Sequence, residues 1–333
     1  MTHVTFPGLG LEFTINRIAF TIPIGNGINV YWYGILIAVG IVLAFIYFLW
    51  RARKYERISE DDCYNITLFT VPIAIVGARF LYVVTNLDSY PDFKSMISVW
   101  NGGLAIYGAI IFGFITILVY CKVRKITVTK VLDAVAPAVM IGQILGRWGN
   151  FCNGEAYGWS EHVANMPWRM TVDGATYTTV IDGIKTVVPA EFVHPTFLYE
   201  SLWNIAGFVL INLLYKNKRF SGQSFLTYVA WYGFGRGFIE LLRTDSLYVA
   251  GIKLNSFIGF ASCAVAIVLL VLLSRRSSRE TAEVEAYEQA YAASSEAESE
   301  IASETASGTA SATASETDSE PASEAEHDPE DKQ

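Results

Sequence analysis

The sequence predicts an all-α polytopic membrane protein of seven transmembrane helices, with its N-terminus outside, its C-terminus cytoplasmic and a small extracytoplasmic cap. Three observations predict it. Hydrophobic residues make up 52% of the chain and charged ones only 17%, against about 25% charged in ordinary soluble domains. Apolar runs of about the length a helix needs to cross a hydrocarbon core recur at about 28–50, 66–85, 99–120, 130–148, 196–215, 223–242 and 256–274. Basic residues gather on alternate connections between those runs.

Residues 1–27 alternate apolar residues with Pro, Gly and Asn and hold one basic residue, Arg17. They form an N-terminal extracytoplasmic or interfacial segment, and the start lacks the basic and apolar regions of a secretory signal peptide. The body spans 28–274. Its first run opens on Tyr31-Trp32-Tyr33-Gly34 and closes on Phe48-Leu49-Trp50, aromatic at both ends as at membrane interfaces, and Arg51, Arg53, Lys54 and Arg57 follow. Lys122, Arg124, Lys125 and Lys130 follow the third run, Lys216, Lys218 and Arg219 the fifth, and Arg275, Arg276 and Arg279 the last. These 14 residues mark the cytoplasmic side. The long segment 149–195 then lies outside, and its Met170 to Val180 stretch reads as short strands joined at Asp-Gly turns, a small cap.

Residues 275–333 form an acidic tail, disordered and cytoplasmic. From residue 280 on it holds 16 of the 32 acidic residues and a single basic one, Lys332, and almost no large apolar residue to build a core. The net charge of -8 therefore belongs to the tail. The body is basic, but its charges are divided among loops and buried positions, which excludes a nucleic-acid face. Four scattered cysteines and four scattered histidines offer neither zinc spacing nor a disulfide framework, so no metal and no cofactor is expected.

Ionisable residues inside apolar runs carry the functional signal. At a rise of 1.5 Å per residue, Arg79 in the second run and Arg236 in the sixth each lie about 13 residues from the inner surface, roughly 20 Å up, and Arg147 sits at the outer end of the fourth. Tyr33, Tyr107 and Glu200 enter from the other side to similar depth. Tyr232, Arg236 and Glu240 are spaced four apart and share one helix face, Arg243 lies three beyond, and Arg236 can pair with Glu240. Gly233 and Gly237 on the same helix allow a second helix or a lipid headgroup to come close. Three arginines with few carboxylates to neutralise them call for an anion, and phosphate is the anion a membrane supplies. Asp133 reads as a helix-start charge and Cys63, Cys121 and Cys263 as small apolar fillers. Cys152 lies in the polar cluster without a histidine neighbour and reads as structural, and His194 either orients Glu200 or ends the cap.

The stretch Gly146 to Gly158 matches Gly-Arg-x-Gly-Asn-Phe-x-Asn-x-Glu-x-x-Gly. With Tyr31-Trp32-Tyr33-Gly34, Gly77-Ala78-Arg79, the block Trp100 to Gly108, His194 to Glu200 and Tyr232 to Arg243, it resembles the bacterial prolipoprotein diacylglyceryl transferases over about residues 10–275. The resemblance implies transfer of the diacylglyceryl group of phosphatidylglycerol to the lipobox cysteine thiol of prolipoproteins, forming a thioether and releasing glycerol phosphate. It implies two partners, phosphatidylglycerol and prolipoprotein signal peptides, no cofactor, and a multi-pass protein in the bacterial cytoplasmic membrane with its site toward the outer leaflet; the chain is expected to be a monomer.

Carried over by position, Arg147, Arg236 and Tyr107 are the catalytic residues. Arg147, Tyr33, Asn150, Asn153, Glu155, Gly158, Tyr232 and Arg236 bind phosphatidylglycerol, while Arg79, His194, Glu200, Glu240 and Arg243 support them. Three positions depart from the family pattern: Tyr107 stands where some members carry histidine, Phe197 where glutamine is common and Cys152 where a larger aliphatic is usual. A phenol with a reference pKa near 10 is a poor general base, so Tyr107 is assigned to orienting lipid or thiol and the base is left open. The competing class is a transporter or channel for an anionic solute, which requires polar residues continuing to the cytoplasmic side. Here they thin out below Arg79 and Tyr107.

Overall fold

The computed structural model describes residues 1–25, 27–99, 102–181, 184–249, 251–280 and 283. Asn26, Trp100, Asn101, Asp182, Gly183, Ala250, Thr281, Ala282 and the acidic tail from 284 onward lie outside the described residues. The chain divides into two units, Met1–Ser274 and Arg275–Gln333, and the first holds every site discussed below.

Long helices dominate: α1 (Trp32–Arg51), α2 (Glu60–Thr85), α4 (Ile106–Arg124), α5 (Val128–Asn153), α6 (Thr196–Leu214), α7 (Gln223–Leu242) and α8 (Leu254–Glu280), with a short α3 (Phe93–Ile97) between α2 and α4. Among the described residues, six of them are long and apolar enough to cross a membrane, which makes this a multi-pass membrane protein. The expected count of seven is corrected to six. The helix that drops out is α7, whose Tyr228, Tyr232, Arg236 and Glu240, interleaved with Gly233, Gly235 and Gly237, leave it too polar to qualify. Large apolar side chains such as Val42, Leu68, Val119 and Leu213 are exposed on the other helices, the arrangement a lipid solvent requires.

The third apolar run begins at 99 in sequence, but its helix starts only at Ile106, because Gly102 and Gly103 adopt φ of +81° and +71°, outside helical space. Helix α5 is central and packs along α1, α6 and α7, while α2 pairs with α4. Helix α7 is flanked by α8, which approaches so closely that a Cβ on Gly233 would lie 2.6 Å from the carbonyl oxygen of Gly259. The Gly233/Gly237 face is thus filled by a helix, not by a lipid headgroup.

The basic end of the bundle is locked by ion pairs to buried carboxylates. Lys218 bridges Glu56 at 2.7 Å and Asp133 at 3.1 Å, and Arg124 joins α4 to the start of α2 through Asp62 at 3.0 Å. Asp133, fully buried, does not serve its own helix: it accepts the backbone N–H groups of Gly222 at 2.7 Å and Phe225 at 2.9 Å and so caps α7.

At the opposite end sits the cap. Strands β1 (Thr2–Phe6), β2 (Leu11–Ile15) and β5 (Thr171–Val172) form one antiparallel sheet in the order β2-β1-β5. The strands β3 (Ile18–Ile22) and β4 (Ile28–Tyr31), β6 (Thr176–Ile181) and β7 (Ile184–Pro189), and β8 (Tyr248–Val249) and β9 (Ile252–Lys253) pair as hairpins. The N-terminal strands therefore complete the cap instead of preceding it: Val4 and Phe6 bury against Met170, Val172, Val193 and Phe197.

Removing Asp133 would orphan two backbone donors and leave Lys218 short of a counter-charge. D133A is expected to cost about 3 kcal/mol of stability, measured as a lowered unfolding midpoint in detergent. A midpoint equal to wild type would show that the cap and the ion pair contribute nothing.

Candidate active site

Glu200 is the meeting point. It lies one turn into α6 and is 1% exposed. Arg147 of α5 donates from Nη2 at 2.8 Å to its Oε1, and Arg236 of α7 donates from Nη1 at 3.0 Å to its Oε2. Tyr232, one turn before Arg236 on the same face, adds its hydroxyl at 3.4 Å. Three helices thus converge on one carboxylate, and the arginines expected to stand unneutralised are paired. The buried charges stabilise one another where neither lipid nor water does.

Two branches leave this centre. Along α7, the second Nη of Arg236 lies 2.5 Å from Glu240 Oε2, and Asn255 at the start of α8 donates to Glu240 Oε1 at 2.8 Å. The Tyr107 hydroxyl of α4 donates to the carbonyl of the same Asn255. Arg243 forks onto Asp245 at 2.9 and 2.6 Å and stands 3.8 Å from Glu240, so its main partner is the rim carboxylate. Lys253 donates to the carbonyls of Glu240, Leu241 and Arg243 and closes the C-terminal end of α7. Burial pushes its ammonium pKa down, because a charged group partly withdrawn from water is disfavoured.

Along α5, Arg147 Nη1 donates to Asn150 Oδ1 at 3.0 Å, and the amides of Asn150 and Asn153 each donate to Glu155 Oε1 at 3.1 Å. Gly154 ends α5 at φ +62°, a left-handed turn that folds Glu155 back over the last helical turn. Tyr33 packs its ring on Gly149, where a Cβ would come within 2.6 Å of the ring. Beside this branch opens a cleft of about 600 Å³ whose lining includes Arg17, Tyr31, Tyr33, Gly102, Asn153 and Glu155.

Three expected site residues lie apart. Arg79 is buried and fully engaged by backbone carbonyls: Ser95 and Met96 at 2.7 Å, Gly102 at 2.5 Å and Gly103 at 3.0 Å. It clamps the α2–α4 connection instead of awaiting an anion. Gly158 exchanges backbone hydrogen bonds with His194 at 3.1 and 2.7 Å, and a Cβ there would meet Thr196 at 2.8 Å, so it knits the cap to α6. His194 does not orient Glu200; its ring is held by Ser160 at 2.8 Å and Tyr199 at 3.2 Å.

The profile of the family described as prolipoprotein diacylglyceryl transferase matches residues 17–272. The chain belongs to this family. It is similar to the phosphatidylglycerol–prolipoprotein diacylglyceryl transferase of Limosilactobacillus reuteri (strain DSM 20016), with 39% identity over 274 residues, 79% of this chain and 93% of that one. The enzyme of the same description from Finegoldia magna (strain ATCC 29328 / DSM 20472 / WAL 2508) is 40% identical over 259 residues, 77% and 95% of the two chains. That of Clostridioides difficile (strain 630) is 37% identical over 270 residues, 81% and 100%.

In this diacylglyceryl transferase the sequence reading missed Asn255, Lys253 and Asp245, which tie Tyr107 and Arg243 into the Glu240 network. Asn255 stands at the mouth of an apolar run, where a lone amide reads as an interfacial residue, and only the packing of α8 on α7 brings it to Glu240.

Burial lowers the pKa of His194 below its ordinary value of 6.5, because the buried ring resists charging. Its neutral form is therefore favoured by folding. The stability this contributes is present above 6.5 and declines as the pH falls from there through the lower folded value. The thermal midpoint in detergent should drop on acidification below 6.5, and H194N should flatten that part of the curve. An unchanged slope in H194N would remove His194 from the pH response.

Proposed function

We propose that the chain transfers the diacylglyceryl group of phosphatidylglycerol to the lipobox cysteine thiol of prolipoproteins at the Arg147–Glu200–Arg236 cluster. The observation that carries this is the convergence of two guanidiniums, from different helices, on one buried carboxylate, linked through Asn150 to Glu155 at the wall of a cleft large enough for a lipid headgroup. The thiolate attacks the glycerol carbon bonded to the phosphate oxygen. A C–S bond forms, the C–O bond breaks, and glycerol phosphate departs with the bonding electron pair. The planar forks of Arg147 and Arg236 offset the charge that gathers on the departing phosphate. Their field also favours the thiolate of the incoming cysteine, whose reference pKa is near 8.5.

The donors and acceptors around Tyr107 define its part. The Glu240 carboxylate only accepts, so the Asn255 amide faces it and the Asn255 carbonyl faces Tyr107. The phenol proton is thus held by Asn255, which leaves the Tyr107 oxygen as an acceptor for a thiol or a lipid hydroxyl. It orients, and the base remains another group or solvent.

The cluster lies at the end of the bundle opposite Arg124 and Lys218. By the rule that basic loops stay in the cytoplasm, that end faces the outer leaflet of the bacterial cytoplasmic membrane. An impermeant thiol reagent should label E161C, an exposed cap position, in intact cells above the background of the unsubstituted chain. Labelling only after the membrane is permeabilised would reverse the orientation.

Lysine keeps the charge of arginine but loses the fork. R147K and R236K should accumulate nearly as wild type yet lose about 100-fold or more of transfer from labelled phosphatidylglycerol to a lipobox peptide. A peptide with serine in place of the cysteine should accept nothing. Near-normal rates in a folded R147K or R236K protein would remove that arginine from the phosphate role. Equal transfer to the serine peptide would remove thioether formation.

A further inference from the structure

Every arginine of the cluster is neutralised. Arg147 and Arg236 share Glu200, Arg236 also meets Glu240, and Arg243 is forked onto Asp245. Glu155 adds a further carboxylate on the α5 branch. With Lys253 at the end of α7, three guanidiniums and one ammonium therefore meet four carboxylates, a balance that offers an anionic lipid no net attraction at the range where only net charge is felt.

Arg17 changes that balance. It precedes β3, and its carbonyl accepts the backbone N–H of Trp32 at 3.1 Å, which anchors it to the first residue of α1, one position before Tyr33. It lines the cleft of about 600 Å³ together with Tyr33, Asn153 and Glu155. Its side chain is exposed, and among the described residues it has no ion pair or side-chain hydrogen bond. Arg79, the other arginine near this cleft's Gly102, is taken up by carbonyls. The cleft thus presents one uncommitted guanidinium and, in Glu155, one carboxylate whose Oε1 already accepts two amides.

We propose that Arg17 is a positioning residue for this reaction: the free cation that draws the glycerol-bearing phosphate group into the cleft beside Tyr33 and Glu155, ahead of its contact with Arg147 and Arg236. The inference rests on the transferase reading above. The phosphate chemistry is shared by two species, the phosphodiester of the incoming lipid and the phosphomonoester of released glycerol phosphate. Arg17 acts before or after the bond-breaking step and touches neither the thiol nor the reacting carbon, so its removal weakens capture more than turnover.

The test uses the full-length enzyme with phosphatidylglycerol in mixed micelles and a lipobox peptide. R17A should raise the KM for phosphatidylglycerol roughly two- to fivefold, the scale of one solvent-exposed charge contact, with a smaller change in kcat. R17K should recover most of that loss, and K122A, at the basic end, should leave the KM as in wild type. Raised salt should narrow the gap between wild type and R17A, because an exposed charge is screened. Added glycerol phosphate separates the two sources: weaker product inhibition in R17A with an unaltered lipid KM assigns Arg17 to the leaving product, and a raised lipid KM with unaltered inhibition assigns it to the incoming headgroup. An R17A enzyme with wild-type lipid KM and wild-type inhibition overturns the proposal, as does a rise confined to the KM for the peptide. Failure of wild type to modify the peptide at all would instead overturn the transferase reading.

Discussion

A carboxylate withdrawn from water among lipid-facing helices persists only when it is paired, and the architecture of this protein follows from how Glu200 is paired. Its two oxygens draw Arg147 from α5 and Arg236 from α7, so the central helix, the polar helix and α6 are fastened at one depth. Helix α7 illustrates the dependence. Its composition is too polar for lipid to hold it, and its polar face is accommodated because Arg236 pairs with both Glu200 and Glu240 and Tyr232 donates to Glu200 inside the bundle. The ends of α7 are held by residues from outside it. Asp133 of α5 supplies negative charge at the N-terminal N–H groups, and Lys253 supplies positive charge at the C-terminal carbonyls. Both match the sign of the helix dipole.

Sequence reading recovered what hydropathy and short-range periodicity encode. The apolar runs, the four-residue spacing of Tyr232, Arg236 and Glu240, and the polar stretch from Gly146 to Gly158 all depend on neighbours in the chain, and they map onto α1, α2, α4 to α8 and the α5 terminus. The count of seven membrane-crossing helices fails at α7 because this run has the length of a span while its inward-facing polar groups leave it too polar to qualify. Pairing across the bundle was less legible. Depth along a helix axis put Arg79 level with Arg236 but carries no information about azimuth, and Arg79 turns to the carbonyls of Ser95, Met96, Gly102 and Gly103. Position alone makes Asp133 the charge of its own helix start, whereas it caps a helix that begins about 90 residues later. Sequence alone sets the N-terminal strands apart, because the β1–β5 pairing joins residues that sequence keeps far apart.

The two ends of the bundle manage charge differently, and the difference bears on how an anion can bind without dismantling the fold. At the basic end Lys218 is closed on both sides by Glu56 and Asp133, and the buried Arg51 stacks 3.9 Å over the Tyr215 ring while donating to Tyr47 and Asn212. Such groups are structural because a ligand would have to displace a buried partner. At the cap end a guanidinium carries five N–H donors, and the described contacts of Arg147 use its Nη1 toward Asn150 and its Nη2 toward Glu200, those of Arg236 its Nη1 toward Glu200 and its Nη2 toward Glu240. Each fork therefore retains donors after its carboxylates are served. A phosphate oxygen can join these forks while Glu200 stays in place, so that in the proposed reaction one pair both holds the helices together and receives the leaving group. Neutralisation by carboxylates removes the long-range pull of these arginines but not their directional hydrogen bonds, and it leaves attraction at a distance to a charge outside the cluster.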